Sequence, residues 1–222
     1  MIDQLWAGAT WTDILAWLPE LGRAFLINLH LLALSMLIGL PGGFVLALMS
    51  RSDRRWLCWP AIALVELGRG VPVLVLIQFI YFGLPQLGTT PGAFAAAVAA
   101  FAASTACYTS EIIRSGLDAV PRGQKEAAAA MNMSMVDEMR FVILPQALRI
   151  SAPALLGFAI LMLQCTALCF TISLPEILAA AYEIGSASFT YFPVLILTAL
   201  FFVAVCTPAS LYVGWLERDK SK

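Results

Sequence analysis

Four long stretches of the chain carry no charged residue, and shorter polar segments separate them. They cover residues 24–50, 70–110, 150–175 and 184–216. Each is longer than the roughly 20 apolar residues that cross a bilayer as a helix. The second stretch contains Gly83-Leu84-Pro85 and a Gly/Thr/Pro-rich turn at 88–92, which predicts two helices there. The pattern therefore predicts five spans, at about 24–50, 60–84, 92–113, 150–174 and 190–215.

Composition supports an all-α membrane protein. Of the 222 residues, 61% are hydrophobic and 12% are charged, whereas soluble domains carry about 25% charged residues. The five cysteines show no CxxC spacing and lie in or near apolar runs, which is typical of buried packing residues. We therefore expect neither a metal site nor a disulfide framework.

The basic residues predict the orientation of the spans. Eleven of them follow spans one, three or five, whereas only Arg23 lies on the opposite side and Arg69 lies within span two. Because cytoplasmic loops carry an excess of Lys and Arg, we expect the N-terminus outside and the C-terminus in the cytoplasm. The chain then divides into an external interfacial segment (1–23, with three tryptophans), one transmembrane domain (24–216) and a cytoplasmic tail (217–222).

The most polar part of the chain, residues 118–149, lies between spans three and four and is predicted to be cytoplasmic. Pro121 suits a first helical turn, and residues 124–131 have strong helix propensity. Asn132 tolerates a left-handed conformation and can end that helix. Ser134 with Asp137 forms a capping-box pattern for a second helix, which we expect to end near Leu144. The segment is therefore predicted to be a helix–turn–helix rather than a solvated loop.

Charged and amide side chains also lie within the spans. Glu66 with Arg69 and Glu111 with Arg114 are each three residues apart, so each pair shares a helical face. Each pair is either a juxtamembrane ion pair or an element of a gate or pathway. Gln164 in span four demands hydrogen-bond partners.

Several motifs in this region resemble those of bacterial ABC importer permeases, specifically the polar amino acid (histidine/glutamine) type. The EAA motif reads Glu126-Ala127-Ala128 and is followed by Ile143-Leu144-Pro145. The other matching motifs are Arg69-Gly70-Val71-Pro72, the segment Ile80-Tyr81-Phe82-Gly83-Leu84-Pro85, Tyr108 to Arg114, Ala119 to Ala128, and Leu144 to Arg149. The matches extend from about residue 66 to 178.

The resemblance implies a coupling loop at about 115–149, whose first helix docks into a cleft on an ATPase subunit. The residues implied in docking are Gly123, Gln124, Glu126, Ala127, Ala128, Asn132, Met133 and Ser134. The candidate pathway or gate residues are Glu66, Arg69, Gln78, Glu111, Gln164 and Thr166. The implied partners are ABC ATPases that bind ATP and Mg²⁺, a second permease (a copy or a paralogue), an extracytoplasmic binding protein and an amino acid substrate, in the bacterial inner membrane. No cofactor, catalytic residue or nucleic acid is expected for this chain.

Two positions depart from the family pattern. Asn132 stands where the family has glycine, and the turn should survive because both residues tolerate the left-handed conformation. Span four reads Gln164-Cys165-Thr166-Ala167-Leu168 where the family often has K-x-T-S-L. A charge and a hydroxyl are missing. If those groups shape the pathway, we expect this chain either to handle a different substrate or to leave that task to a partner permease.

Other functions fit the sequence less well. An importer permease for another small solute, such as an opine or another amine, stays open because the coupling loop does not name the cargo. A membrane enzyme needs a cluster of His, Asp or Glu at membrane depth, and the sequence has one histidine. A channel or passive scaffold leaves the coupling helix unexplained. The chain has no GxxxxGK[ST] motif, so the resemblance implies an ATPase supplied in trans.

Overall fold

The computed structural model describes residues 10–220, and its secondary structure there consists of helices joined by short connections, with no strand. The α-helices are α1 (Trp11–Ser50), α2 (Arg55–Gly70), α3 (Val73–Gln78), α4 (Ala93–Asp118), α5 (Arg122–Ala130), α6 (Met135–Asp137), α7 (Leu144–Cys165), α8 (Ile177–Ser188) and α9 (Tyr191–Lys220). Wider π-helical turns cover Phe79–Gly83 and Glu138–Ile143, and tighter 3₁₀ turns cover Leu84–Leu87 and Thr166–Ile172.

The helices account for the predicted spans. Four are long and apolar enough to cross a membrane, at Thr12–Ser50, Ala93–Asp118, Met135–Ile172 and Tyr191–Arg218. A fifth span is the broken pair Arg55–Gly70 and Val73–Leu87, interrupted at Val71 and Pro72. A proline and the restriction that it imposes on the residue before it explain the break. The prediction of a helical protein with five spans is confirmed when the broken pair counts as one.

The first helix begins earlier than the apolar pattern predicts, at Trp11 rather than near residue 24. Thr10 and Asp13 form a reciprocal cap that starts it. The backbone N–H of Thr10 donates to Asp13 Oδ2 at 2.7 Å, and the N–H of Asp13 donates to Thr10 Oγ1 at 3.3 Å. Of the predicted interfacial segment 1–23, residues 1–9 lie outside the described residues.

The expected end of the second loop helix near Leu144 is wrong, because residues 135–172 form one continuous helical span. Pro145 is the second residue after the π-helical turn Glu138–Ile143, and the N–H of Leu144 bonds back to Met139 O. Proline has no backbone N–H and normally removes one hydrogen bond from a helix. Here the π-helical turn has already shifted the backbone hydrogen-bond pattern, so the helix continues through Pro145.

The described chain forms two compact units. The first comprises residues 10–35, 72–101 and 159–212. Its core is built around the fully buried side chains of Leu21, Ile177 and Val194. Phe25 contacts two aromatic rings of α9, those of Phe201 and Phe202, at centroid distances of 5.6 and 5.4 Å. These pairs fix α1 against α9 within the unit.

The second unit comprises residues 36–71, 102–158 and 213–220. Its apolar core is formed by small and branched side chains: Ala47, Ile113, Leu117, Val120, Ile143 and Ala147. Helix α1 approaches α4 closely at Gly43, where an added Cβ would lie 2.9 Å from the carbonyl oxygen of Ala106 and closer still to Thr109 Oγ1. The Pro41-Gly42-Gly43 sequence therefore serves close helix packing, while α1 itself continues unbroken.

Candidate functional site

The predicted turn at Asn132 is present. Helix α5 follows Pro121 and ends at Ala130, and after the capping residue Met131, Asn132 adopts φ 59°. The N–H of Asn132 bonds to Ala129 O at 2.9 Å and that of Met133 to Ala128 O at 3.2 Å, as in a left-handed helix terminus. Asn132 therefore adopts a left-handed conformation, which glycine also tolerates.

The predicted cap at Ser134 is also present. The hydroxyl of Ser134 accepts the N–H of Asp137 at 3.2 Å and donates to the Asp137 carboxylate at 2.6 Å. The chain then continues into the span through the π-helical turn Glu138–Ile143. The loop is thus a short helix, a left-handed turn and a capped extension of the next span, and its shape is set by local hydrogen bonds.

Part of the exposed surface of the loop combines the Glu126 carboxylate with large apolar side chains. Glu126 is exposed, and the side chains of Met131, Met135 and Val136 are 78, 85 and 73% exposed. We call these four residues the loop surface. Exposed apolar groups of this kind are typical of surfaces that contact a protein or a membrane.

The remaining predicted docking residues divide into two groups. Gly123, Gln124, Ala127, Asn132 and Ser134 are exposed, and Gln124 accepts a hydrogen bond from Gln146 Nε2 at 3.1 Å. In contrast, Ala128 is buried within its own unit and Met133 is half-buried. Those two side chains support the loop from inside.

A chain of alternating charges runs through the second unit. Arg69 lies 3.7 Å from the Glu66 carboxylate and 3.9 Å from that of Glu111. Glu111 in turn accepts two hydrogen bonds from Arg114, at 2.7 and 3.0 Å. The two predicted i,i+3 pairs are both present, and Arg69 joins them into one network.

Three further residues, which the sequence pattern did not identify, extend this network. Arg114 lies 3.5 Å from Asp118, which also pairs with Arg51. The hydroxyl of Tyr108 donates to the carbonyl oxygen of Arg69 at 3.0 Å, and the Arg69 guanidinium lies 5.9 Å from the centre of the Tyr108 ring. Positive and negative groups alternate, so each carboxylate has a cation beside it.

The first unit contains a buried polar network around Asn28. Its side-chain amide donates to Thr166 Oγ1 at 2.9 Å and to Glu176 Oε2 at 3.0 Å, and its oxygen accepts the N–H of Ile177 at 3.1 Å. Asn28, Thr166 and Glu176 are all fully buried. Thr166, predicted as a pathway residue, therefore lies inside the packed unit with its hydroxyl fully used.

Glu176 has a second role in this network, because it caps α8. Its carboxylate accepts the N–H groups of Leu178 and Ala179, each at 3.0 Å. Burial raises the pKa of this carboxyl above its ordinary value, and the hydrogen bonds from Asn28 and the backbone oppose that shift.

The two glutamines among the predicted pathway residues have more open surroundings than Thr166. Gln164 lines a cavity of about 360 Å³ together with Thr207 and Ser210. Gln78 Nε2 donates to Thr171 Oγ1 at 2.7 Å on an exposed part of the unit. The six candidate pathway residues therefore do not form one cluster: three belong to the charge network, and the others lie at separate places in the first unit.

Comparison with known protein families assigns the chain to one family. A model described as "Binding-protein-dependent transport system inner membrane component" matches residues 39–222. The chain belongs to this family. It is therefore the inner-membrane permease component of a binding-protein-dependent transport system, and its apolar helices make it a multi-pass membrane protein.

Individual relatives match over most of the permease. It is 37% identical to the probable amino-acid ABC transporter permease protein YckA of Bacillus subtilis (strain 168), over 83% of this chain and 81% of the relative. It is 36% identical to the octopine transport system permease protein OccM of Rhizobium meliloti, over 99% of this chain and 93% of the relative.

Solved structures agree on the architecture of the permease. The crystal structure of an amino acid ABC transporter with histidines matches with a TM-score of 0.87 at 33% identity, covering 95% of this chain and 99% of that chain. An inward-facing MetNI methionine ABC transporter matches with a TM-score of 0.65 at 21% identity, covering 90% and 94%, which supports the fold alone.

Proposed function

We propose that this permease is a subunit of an ATP-driven ABC importer for amino acids or closely related solutes. The names of the relatives and of the matching solved structure support the substrate class. The geometry of the loop supports the coupling role, since a capped helix and turn display the exposed loop surface on a rigid local frame.

In this proposal, an ATPase subunit binds ATP and Mg²⁺ and holds the loop surface in a cleft. Gly123, Gln124, Ala127, Asn132 and Ser134 would line the contact, Glu126 would meet a basic or hydrogen-bonding group, and Ala128 and Met133 would hold the loop in shape. When ATP closes the ATPase dimer, the loops move with it, and the spans change between inward and outward access.

Five spans provide too little wall for a pathway, so a second permease, identical or paralogous, completes it. A binding protein delivers the solute from outside, which requires the orientation that the basic residues predict, with the loop in the cytoplasm. Glu66, Arg69 and Glu111 are proposed gate residues, because their ion pairs can exchange partners. Gln78 and Gln164 are proposed pathway residues.

A charge reversal at the loop surface tests this function. In the assembled complex, we expect Glu126→Lys to abolish most ATP-driven amino acid uptake while the protein level in the membrane stays normal. Met135→Glu should act in the same direction, because it places a charge in an apolar contact. Glu217→Lys is the matched control, since Glu217 is an exposed carboxylate outside the loop. Normal uptake by both loop variants would refute the coupling assignment.

A further inference from the structure

A second cavity of the first unit, of about 380 Å³, lies beside α8 and has three aromatic residues in its wall. Phe170 comes from the 3₁₀ turn Thr166–Ile172, Tyr182 from α8 and Tyr191 from the start of α9. The same cavity is lined by Glu183 of α8. We call these four residues the aromatic–acidic pocket.

The three rings support one another and still expose part of their surfaces. Phe170 stacks on Tyr182 with centroids 4.7 Å apart, and Tyr182 meets Tyr191 edge-on at 5.8 Å. Their exposed fractions are 37, 42 and 42%. The faces of aromatic rings carry partial negative charge and attract cations, and tyrosine and phenylalanine rings both do so.

The backbone around the pocket is arranged to hold these rings. Gly185 allows the Tyr191 ring to lie directly against α8, because an added Cβ would be 2.6 Å from a carbon of that ring. Ser173, which also lines the cavity, has φ 58°, and Phe189, just before Tyr191, has φ 56°. Left-handed conformations at two non-glycine residues cost free energy and are typical of functional sites.

The charges of the pocket and its unit are acidic. Glu183 lines the cavity, and among the residues that line it Glu183 alone is charged. It forms no ion pair within the described part of the chain. The described residues of the first unit contain the carboxylates Asp13, Glu20, Glu176 and Glu183 but only one arginine, Arg23. Such an excess of negative charge attracts positively charged ligands into a cleft.

We propose that the aromatic–acidic pocket binds the cationic side-chain group, a guanidinium or a side-chain ammonium, of the solute that the importer carries. Glu183 pairs with the cation and the rings of Phe170, Tyr182 and Tyr191 cover it. The cavity volume lies within the range of about 300–1,000 Å³ typical of small-molecule sites. This inference rests on the proposed importer function and narrows its substrate to cationic solutes.

The test compares two solutes of nearly equal shape, arginine and citrulline, whose guanidinium and urea groups differ in charge. The assembled importer in proteoliposomes, with ATP inside and its binding protein outside, is assayed for uptake of each. We expect kcat/KM for arginine to exceed that for citrulline by at least about tenfold, since one such charged contact contributes on the order of that factor.

Substitutions in the pocket distinguish a specific loss of cation binding from general damage to the protein. Glu183→Gln and Tyr182→Leu should each lower kcat/KM for arginine about tenfold and leave citrulline uptake unchanged, whereas Tyr182→Phe should retain arginine uptake. Glu20→Gln is the matched control, because it removes an exposed carboxylate of the same unit outside the pocket. Equilibrium binding of arginine to the complex without binding protein should weaken in parallel.

Each contrary result has a defined meaning. Equal loss of arginine and citrulline uptake in Glu183→Gln, with weaker affinity for the binding protein, would make the pocket a protein-docking surface and overturn the inference. Unchanged arginine uptake in both variants would overturn it too. Transport of glutamate or glutamine but not arginine would overturn the inference and leave the proposed function standing, whereas no ATP-driven uptake of any amino acid would overturn the proposed function itself.

Discussion

Replacing Asn28 by alanine is the sharpest test of the first unit. The Asn28 side chain uses both of its amide hydrogens and its oxygen, and its three partners come from segments more than 130 residues away in sequence. In Asn28→Ala, the buried N–H of Ile177 loses its acceptor and the Glu176 carboxylate loses one donor, while two backbone donors to Glu176 remain.

The expected loss of stability follows from these two bonds. A buried donor without a partner costs about 1–3 kcal/mol, and a hydrogen bond to a charged group contributes about 1.5–3 kcal/mol. With a small cavity added, the loss is about 3–6 kcal/mol, and the lower end applies when the Glu176 carboxyl is protonated. In a protein of this size ~1 kcal/mol shifts the melting temperature by ~2–4 °C, so we expect a fall of ~6–24 °C.

The assay is thermal unfolding of the purified permease complex in detergent or nanodiscs, followed by tryptophan fluorescence. Ser35→Ala is the matched control on the same helix, because the Ser35 hydroxyl is buried without a hydrogen-bond partner among the described residues. Its removal should leave the melting temperature unchanged or raise it slightly. If Asn28→Ala lowers the melting temperature no more than Ser35→Ala does, the network does not stabilise the unit.

Two further predictions concern single residues. Burial raises the pKa of Glu176 in the folded protein, so as the pH rises past the ordinary carboxyl pKa of about 4.3 the unfolded chain loses this proton before the folded protein does. The free energy of unfolding should therefore fall with rising pH until the folded pKa is passed. Melting temperatures of Glu176→Gln should depend less on pH over that range. Gly43→Ala forces a methyl group against Ala106 O and Thr109 and should cost about 1–3 kcal/mol in thermal unfolding, whereas Gly157→Ala, with open space at its Cβ, should not destabilise.

The sequence was most informative where structure depends on near neighbours. The left-handed turn at Asn132, the cap at Ser134 and the ion pairs Glu66–Arg69 and Glu111–Arg114 each involve residues within a few positions of one another. Propensity, capping and helical spacing describe such contacts directly. The number of spans was accessible for the same reason, because span length follows from an uninterrupted apolar run.

These local patterns do not predict contacts between segments that are distant in the sequence. Nothing near Asn28 indicates that it meets Glu176, which lies 148 residues away. The burial of Ala128 was also hidden, since its neighbours Ala127 and Ala129 are exposed and the four alanines are alike in sequence. The Thr10–Asp13 cap is a local signal in the sequence, but the uncharged run begins only at residue 24, and that run predicts a later start for the first span.

The charge network around Arg69 and the buried network around Asn28 differ in the free energy needed to rearrange them. This difference bears on how the permease can move. The ion pairs of Arg69, Glu111 and Arg114 are between a quarter and two-fifths exposed, and exposed pairs contribute only about 0–1 kcal/mol each. Since the charges alternate in sign, a displaced arginine finds another carboxylate nearby. Such pairs can exchange at little cost, which suits a gate.

The Asn28 network has the opposite character, because its groups are buried and fully bonded. Separating them leaves several buried polar groups unpaired, at a cost comparable to a large part of the ~5–15 kcal/mol that keeps a typical domain folded. A movement during transport that broke this network would therefore be disfavoured. Of the pathway and gate candidates that the sequence predicts, Thr166 is thus expected to act in the rigid frame of its unit, while Glu66, Arg69 and Glu111 lie where rearrangement costs little free energy.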